Sequence, residues 1–303
     1  MNTHFIQRPD GASVAVDEIG SDGPVVVLLH GLAGSSREMI PTARALSDHR
    51  VLMVDQRGHG RTTRRPEDLS RAAFVSDVIA VIEELSQGQR VTLVGQSMGA
   101  HTAFLVAATR PDLVDGLVML EGHVAGNEDP EEAAGLGRYF ASWPAPFADE
   151  KTAREFLGDE AIVDAWVADL KTTPTGLVPR FDADIMQRTI EAVHEPSWEQ
   201  WQKLSVPTVA IFAKNGMFSE AEKSELIRRR PDTHRVDLSS GSHDAHLDNF
   251  EEWIGVLQLW MSREGTRGTM PWSRNCSRSM CSRTCGWLSW TPTPGLQNLS
   301  GKA

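Results

Sequence analysis

Val91-Thr92-Leu93-Val94-Gly95-Gln96-Ser97-Met98-Gly99 begins as a strand and ends as a turn. From position 91 to 94 the run is β-branched or apolar with no polar alternation across it, the pattern of a strand buried on both faces. Met98–Thr109 continues with a helical pattern. Between them lies Gly-x-Ser-x-Gly, the spacing of a strand-to-helix turn so sharp that its serine is held in a strained conformation. Small residues at 95 and 99 avoid clashes. The Ser97 hydroxyl then projects from the carboxyl edge of a sheet, at a helix N-terminus whose dipole favours negative charge. In that context the pentapeptide predicts a nucleophilic serine rather than a chance turn.

Further apolar runs lie on both sides of it. Residues 24–29, 50–54, 113–120, 208–212 and 235–238 read as strands, and 37–47 and 70–85 as helices. Residues 14–18 alternate after an Asp10-Gly11 turn and read as an early strand in a hairpin. Strand and helix alternate, which predicts an α/β class: a doubly wound, mostly parallel sheet with right-handed crossovers. The alternation stops after Glu121. About 85 residues, 122–206, separate two sheet strands, where a crossover needs only about a dozen. Helical stretches at 131–142, 150–171 and 182–194, with Trp143, Trp166, Trp198 and Trp201, make this insert a helical lid over the sheet edge. The expected organisation is a core at 1–121 and 207–261, a lid at 122–206, and a tail from 262.

The chain has 303 residues, 40% hydrophobic and 23% charged, as in globular proteins. Fibrous, wholly disordered and membrane-spanning classes are excluded on that composition, as is a transmembrane helix, since no run of ~18 apolar residues occurs. The N-terminus lacks a basic start followed by an apolar stretch, so no secretory signal is expected. The net charge of −11 argues against nucleic acid as a partner. The charge is uneven: residues 262–303 hold six Lys and Arg against Glu264, and also Cys276, Cys281 and Cys285. This tail is poor in periodicity and reads as disordered. Three thiols without a histidine fall short of the four ligands of a structural zinc site, so neither metal nor cofactor is expected. Residues 1–261 contain no cysteine, which suits a cytoplasmic location.

Three motifs carry a resemblance. They are His30-Gly31-Leu32 after one strand, Asp55-Gln56-Arg57-Gly58-His59-Gly60 after the next, and the turn at Ser97. Across residues 1–261 the chain resembles the α/β-hydrolase superfamily. The resemblance implies a triad in the order Ser, acid, His, with the base in the loop after the last strand. There Ser239-Ser240-Gly241-Ser242-His243-Asp244-Ala245-His246 offers two histidines, and the pattern assigns His243. His246 is expected to pack or cap, His30 to order the oxyanion loop and His59 to be structural; His101, His123 and His194 have no role unless they line the pocket. The oxyanion donors implied are the backbone N–H groups of Leu32 and Met98, and the expected substrate contacts are Leu32, Trp143 and Trp166.

The acid departs from the usual pattern. The slot after the penultimate strand, where most members carry Asp, falls on Gly216, and the next carboxylate is Glu220 in a following helix. Glu121 ends the strand of residues 113–120. Haloalkane dehalogenases and zearalenone-hydrolase-like lactonases place their acid at that strand end, so Glu121 is the expected third member. Ser97 in place of Asp argues against dehalogenase and epoxide-hydrolase chemistry, which needs a carboxylate nucleophile. The resulting expectation is a serine hydrolase that cleaves an ester or lactone of a mostly apolar small molecule through acyl-Ser97. C–C bond hydrolysis or perhydrolysis with the same triad is an alternative. A ligand-binding homologue with vestigial chemistry is another, supported by the vacant slot at 216. A dinucleotide-binding protein is excluded, because no Gly-x-Gly-x-x-Gly follows the first central strand. Oligomeric state is not legible.

Overall fold

The computed structural model describes residues 1–127 and 129–264, so the expected tail lies almost wholly outside the described residues. In chain order the first half comprises β1 (Asn2–Gln7), β2 (Ser13–Ile19), β3 (Val25–Leu29), α1 (Ile40–Ala45), β4 (Arg50–Val54), α2 (Arg71–Leu85), β5 (Val91–Gln96), α3 (Met98–Thr109) and β6 (Val114–Leu120). The insert follows: α4 (Pro130–Ala141), α5 (Glu150–Leu157), α6 (Ala161–Asp169), β7 (Lys171–Thr173), β8 (Gly176–Val178), α7 (Ala183–Val193) and α8 (Trp198–Lys203). The chain then returns through β9 (Thr208–Phe212), α9 (Glu220–Arg229), β10 (His234–Asp237), α10 (Ala245–Asp248) and α11 (Phe250–Glu264).

Eight strands form one sheet in the order β1-β2-β4-β3-β5-β6-β9-β10. The hairpin β1–β2 and the β2–β4 pair are antiparallel, and the remaining pairs are parallel. The unbroken apolar runs have a direct cause: alternate residues feed two cores. Val25, Val27, Leu29, Leu93 and Met119 pack on one face with α2 and α3. Val26, Leu28, Val94, Val118 and Leu120 pack on the other with α1 and α11. Both faces of the central strands are covered, so β3, β4 and β9 show no polar alternation. Among the described residues, no helix is long and apolar enough to cross a membrane.

The insert differs from its expected helices in two places. The stretch at 150–171 is two helices, because Gly158 takes φ 102°, a conformation that suits glycine and ends α5. A small antiparallel pair, β7–β8, then precedes α7. The tryptophans also divide. Trp201 is fully buried in the sheet-side core, its ring 5.6 Å from Phe104 and its indole N–H donating to the Leu226 carbonyl at 3.0 Å. The last turns of the insert therefore pack with α3 and α9, while α4 to α7 carry a separate apolar cluster around Phe140, Trp143 and Phe181.

Candidate active site

The ends of β3, β5 and β6 converge, and three of the four non-glycine residues with positive φ among the described residues sit there: Ala33, Ser97 and Glu121. Such conformations cost about 1–3 kcal/mol each and persist where surrounding structure imposes them. Ser97 has φ 52° and ψ −121° at the junction of β5 and α3. The glycines on either side are a packing requirement. A Cβ on Gly95 would lie 2.3 Å from the Gly99 carbonyl oxygen, and one on Gly99 would lie 2.2 Å from that of Leu29. These are backbone contacts that cannot swing aside. Gly99→Ala is expected to cost about 4 kcal/mol or more and to lower Tm by roughly 10 °C. A Tm within about 2 °C of wild type, read by calorimetry, would mean that the turn relaxes freely.

His30 is fully buried, and its tautomer is determined by its neighbours. Its Nε2 accepts from the Gln56 backbone N–H at 3.0 Å, so Nδ1 carries the proton and donates to the Gly31 carbonyl at 2.7 Å. The Gln56 side chain donates back to the His30 carbonyl at 2.7 Å. This closes the loop leading to Leu32. Asp55 holds the Ser36 and Arg61 N–H groups at 2.6 and 2.9 Å, while Arg57 pairs with Asp77 at 2.7 Å. His59 is buried against His30, and burial takes its imidazole down to about 3. The motif at 55–60 is thus a scaffold for the loop.

Glu121 is fully buried, yet both carboxylate oxygens are engaged. Oε1 accepts from Ala213 N–H at 2.7 Å, and Oε2 accepts from Met217 N–H at 2.9 Å and lies 3.3 Å from His243 Nδ1. Both carboxylate oxygens already accept from backbone N–H groups, which suits Nδ1 as a further donor and leaves Nε2 free. A Cβ on Gly216 would fall 2.2–2.4 Å from this carboxylate. The space that a side chain at 216 would occupy is filled by Glu121, reaching across from the neighbouring strand end. His246 lies elsewhere: it is buried, with Nε2 3.6 Å from Glu38 Oε1.

Ser97 and His243 open onto one cavity of about 310 Å³, lined by Leu32, Leu136, Phe140, Ile162 and Trp166. A second lobe of about 250 Å³ shares Ser97, Glu132 and Met217 and adds Met98, Glu121 and the three histidines His101, His123 and His194. His123 is neutral: its Nδ1 accepts from Ala125 N–H, its Nε2–H donates to the Glu222 carbonyl, and burial lowers its pKa. Trp143 does not line either lobe. It is buried with Trp166 at 5.2 Å and Phe181 at 5.4 Å, so it supports the wall from behind, contrary to its expected contact with substrate.

The sequence reading missed Gln96, Glu38 and Asp244. The Gln96 amide donates to the His243 carbonyl at 3.0 Å, and its Oε1 would lie 2.3 Å from a Cβ on Gly31, so one side chain ties the loop that carries His243 to the loop before Leu32. Glu38 Oε1 accepts from Gly31 N–H at 3.4 Å. Burial raises the pKa of Asp244. The only sequence signal for Gln96 was its place beside Ser97.

The comparisons agree with this architecture. A family profile for the alpha/beta hydrolase fold matches residues 24–156. The crystal structure of E-2-(acetamidomethylene)succinate hydrolase superposes with a TM-score of 0.75 at 23% identity, over 86% of this chain and 100% of that one. The sn-1-specific diacylglycerol lipase ABHD11 of Mus musculus is 26% identical over 79% of this chain and 81% of its own length. Esterase YbfF of Escherichia coli K12 is 33% identical over 252 residues, 78% of this chain and 92% of that protein. Matching the alpha/beta hydrolase profile over residues 24–156 and identical to an esterase at a third of the aligned positions over 92% of that enzyme's length, the chain belongs to the α/β-hydrolase family of enzymes.

Proposed function

We propose that this enzyme is a serine hydrolase of uncharged carboxylic esters or lactones, with Ser97 as nucleophile, His243 as base and Glu121 as the acid that orients it. The observation that carries the reading is the buried Glu121 carboxylate, 3.3 Å from His243 Nδ1 and filling the space beside Gly216. His243 Nε2 takes the Ser97 proton as Oγ attacks the carbonyl carbon. The oxyanion accepts from the N–H groups of Met98 and Leu32; as the first residue of α3, Met98 has no intrahelical partner for its N–H. Collapse expels the alcohol, which takes the proton from His243. Water, deprotonated by His243, then attacks acyl-Ser97 and releases the carboxylic acid. Glu121 accepts from Nδ1 throughout and stabilises the imidazolium. Helices α4 to α7 serve as the lid that keeps water from this pocket.

The charge of the lining favours uncharged substrates. Glu38, Glu132 and Asp244 line the lobe with Ser97 and His243, and no Lys or Arg does so among the described residues. The second lobe adds Glu222 and again no cationic Lys or Arg. A carboxylate about 6 Å from an unpaired one, at an effective dielectric near 20, meets roughly 3 kcal/mol of repulsion. We therefore expect kcat/KM for p-nitrophenyl butyrate to exceed that for the corresponding hemisuccinate by about 100-fold, and Glu132→Gln to narrow the gap by about tenfold. Equal turnover of the two esters would remove the charge argument. Labelling by a neutral fluorophosphonate tests the chemistry itself: adduct mass on the Ser97 peptide supports the reading, and no adduct at Ser97 overturns it.

A further inference from the structure

The largest groove named here is not the one at Ser97. It has a volume of about 540 Å³ and lies between α2, α3 and residues 192–200. Val75, Ile79, Leu105 and Pro196 form an apolar strip in walls that also carry Arg8, Glu83 and Glu195; Arg8 pairs with Asp77 at 3.1 Å, and Arg71 and His101 stand out in the lining.

Arg71 is unlike the other inward-lying arginines. Arg57 pairs with Asp77 and Asp10, Arg61 with Asp17 and Asp55, and Arg50 with Glu18. Arg230 forms no ion pair among the described residues, but it feels the charge of Asp232 and its guanidinium donates to the carbonyls of Leu204 and Val206 and to Thr233. Arg71 donates from Nη2 to Thr102 Oγ1 and lies over the Phe74 ring at 4.6 Å, but its Nε and Nη1 have no partner among the described residues. No carboxylate forms an ion pair with it among the described residues, and burial alone brings its guanidinium down to about 9, so it keeps its charge at neutral pH. His101, one turn after Ser97 on α3, is 2% exposed, and neither ring nitrogen has a partner among the described residues. Burial and the nearby Arg71 keep it neutral. His101 lines this groove and the second lobe at Ser97 alike, so it stands in the wall between them.

Arg71 is half-buried, but a guanidinium held without a carboxylate is costly, and its buried, unbonded Nε and Nη1 add to the cost. In a protein of net charge −11, no carboxylate pairs with Arg71 among the described residues. Such a cost is expected where a ligand supplies the missing charge. We propose that this groove binds a small apolar monocarboxylate, its carboxylate on the Arg71 guanidinium and its hydrocarbon part along Val75, Ile79 and Leu105. Glu83 does not compete for Arg71, since it accepts from Arg110 at 2.7 Å, and Glu195 sits exposed in the lining, open to water. The ligand class is the one that hydrolysis at Ser97 would release, although binding at Arg71 does not depend on that chemistry.

The test uses the full chain with hexanoate and, as the uncharged control, hexanamide. Hexanoate should raise Tm saturably at concentrations up to about 10 mM, and hexanamide should not. Arg71→Met should weaken hexanoate binding by about tenfold or more while keeping or raising the Tm of the free protein, because replacing an unpaired buried charge by an apolar side chain relieves its cost. Ala72→Glu, at an exposed position in the same groove, is the second variant and should weaken binding by placing a carboxylate beside the site. Hexanoate should leave the rate of fluorophosphonate labelling at Ser97 unchanged. Binding that survives both substitutions, binding that protects Ser97 competitively, or no saturable binding of hexanoate would each overturn the proposal. Failure to label Ser97 at all would instead count against the hydrolytic reading, leaving the titration at Arg71 to be judged on its own.

Discussion

Ser97→Ala is expected to reduce ester hydrolysis by about 10⁶-fold with the fold intact, since loss of a serine nucleophile or of its base costs about that much where the triad acts as a unit. The substitution removes one hydroxyl from a residue whose φ of 52° the neighbouring packing imposes. Alanine bears the same Cβ as serine, so the backbone strain is unchanged and Tm should stay within a few degrees. His243→Ala should fall nearly as far, and combining the two should add little, because neither group works without the other. His246→Ala should keep turnover to within about tenfold and lower Tm, since its ring is buried against Glu38 away from the cavity. Measured kcat/KM for the three variants decides the assignment. Ser97→Ala retaining more than about a tenth of wild-type activity would exclude Ser97 as the nucleophile.

The second large effect concerns Glu121. Glu121→Ala should lower kcat by about 10⁴-fold, because His243 loses the group that holds its tautomer and stabilises its charge. It should also cost stability, since the N–H groups of Ala213 and Met217 lose their acceptor; each buried unsatisfied donor costs about 1–3 kcal/mol. The geometry at Gly216 predicts a sign reversal. In the wild type an Asp at 216 would drive its side chain into the Glu121 carboxylate, 2.2–2.4 Å from the new Cβ, so Gly216→Asp alone should be damaging. Once Glu121 is alanine the same space is vacant, and the backbone at 216 is outside the left-handed region, so Asp is accommodated there. Its carboxylate then meets His243 and the same two N–H groups. Glu121→Ala/Gly216→Asp should recover about 10–100-fold of the lost kcat. A double mutant slower than Glu121→Ala would show that position 216 cannot present a carboxylate to His243. A Glu121→Ala enzyme with near wild-type kcat would remove Glu121 from the mechanism altogether.

The vacant acid slot, read in the sequence as support for a vestigial site, has a physical explanation. Position 216 is glycine because a side chain there and the Glu121 carboxylate would claim one volume. The two positions lie 95 residues apart in the chain, and their mutual exclusion follows only from the β6–β9 pairing that sets the strand ends side by side. Trp143 shows the opposite limit. Its size and its place in the insert marked it for substrate contact, but aromatic residues fill cores as readily as they line cavities, and here the rings of Phe181 and Trp166 enclose it.

Local chemistry was enough for the sheet and the strained turn at Ser97. Strands buried on both faces announce themselves by unbroken apolar runs, and a serine held at positive φ needs glycines at fixed offsets, so each can be read within nine residues. The insert was legible as helical but not in its breaks, because Gly158 reads as a helix end only when its φ of 102° is seen. The polar groups of the site were beyond the sequence. Gln96 meets the His243 carbonyl, Glu38 meets Gly31, and Arg71 lies beside His101 without a carboxylate partner, all through contacts between chain segments whose separation carries no periodicity. Hydrophobic periodicity reports which face of an element is buried. Which polar side chains then share a cavity, and which of them is left without a partner, was decided by how the sheet edge, α2 and the insert close on one another.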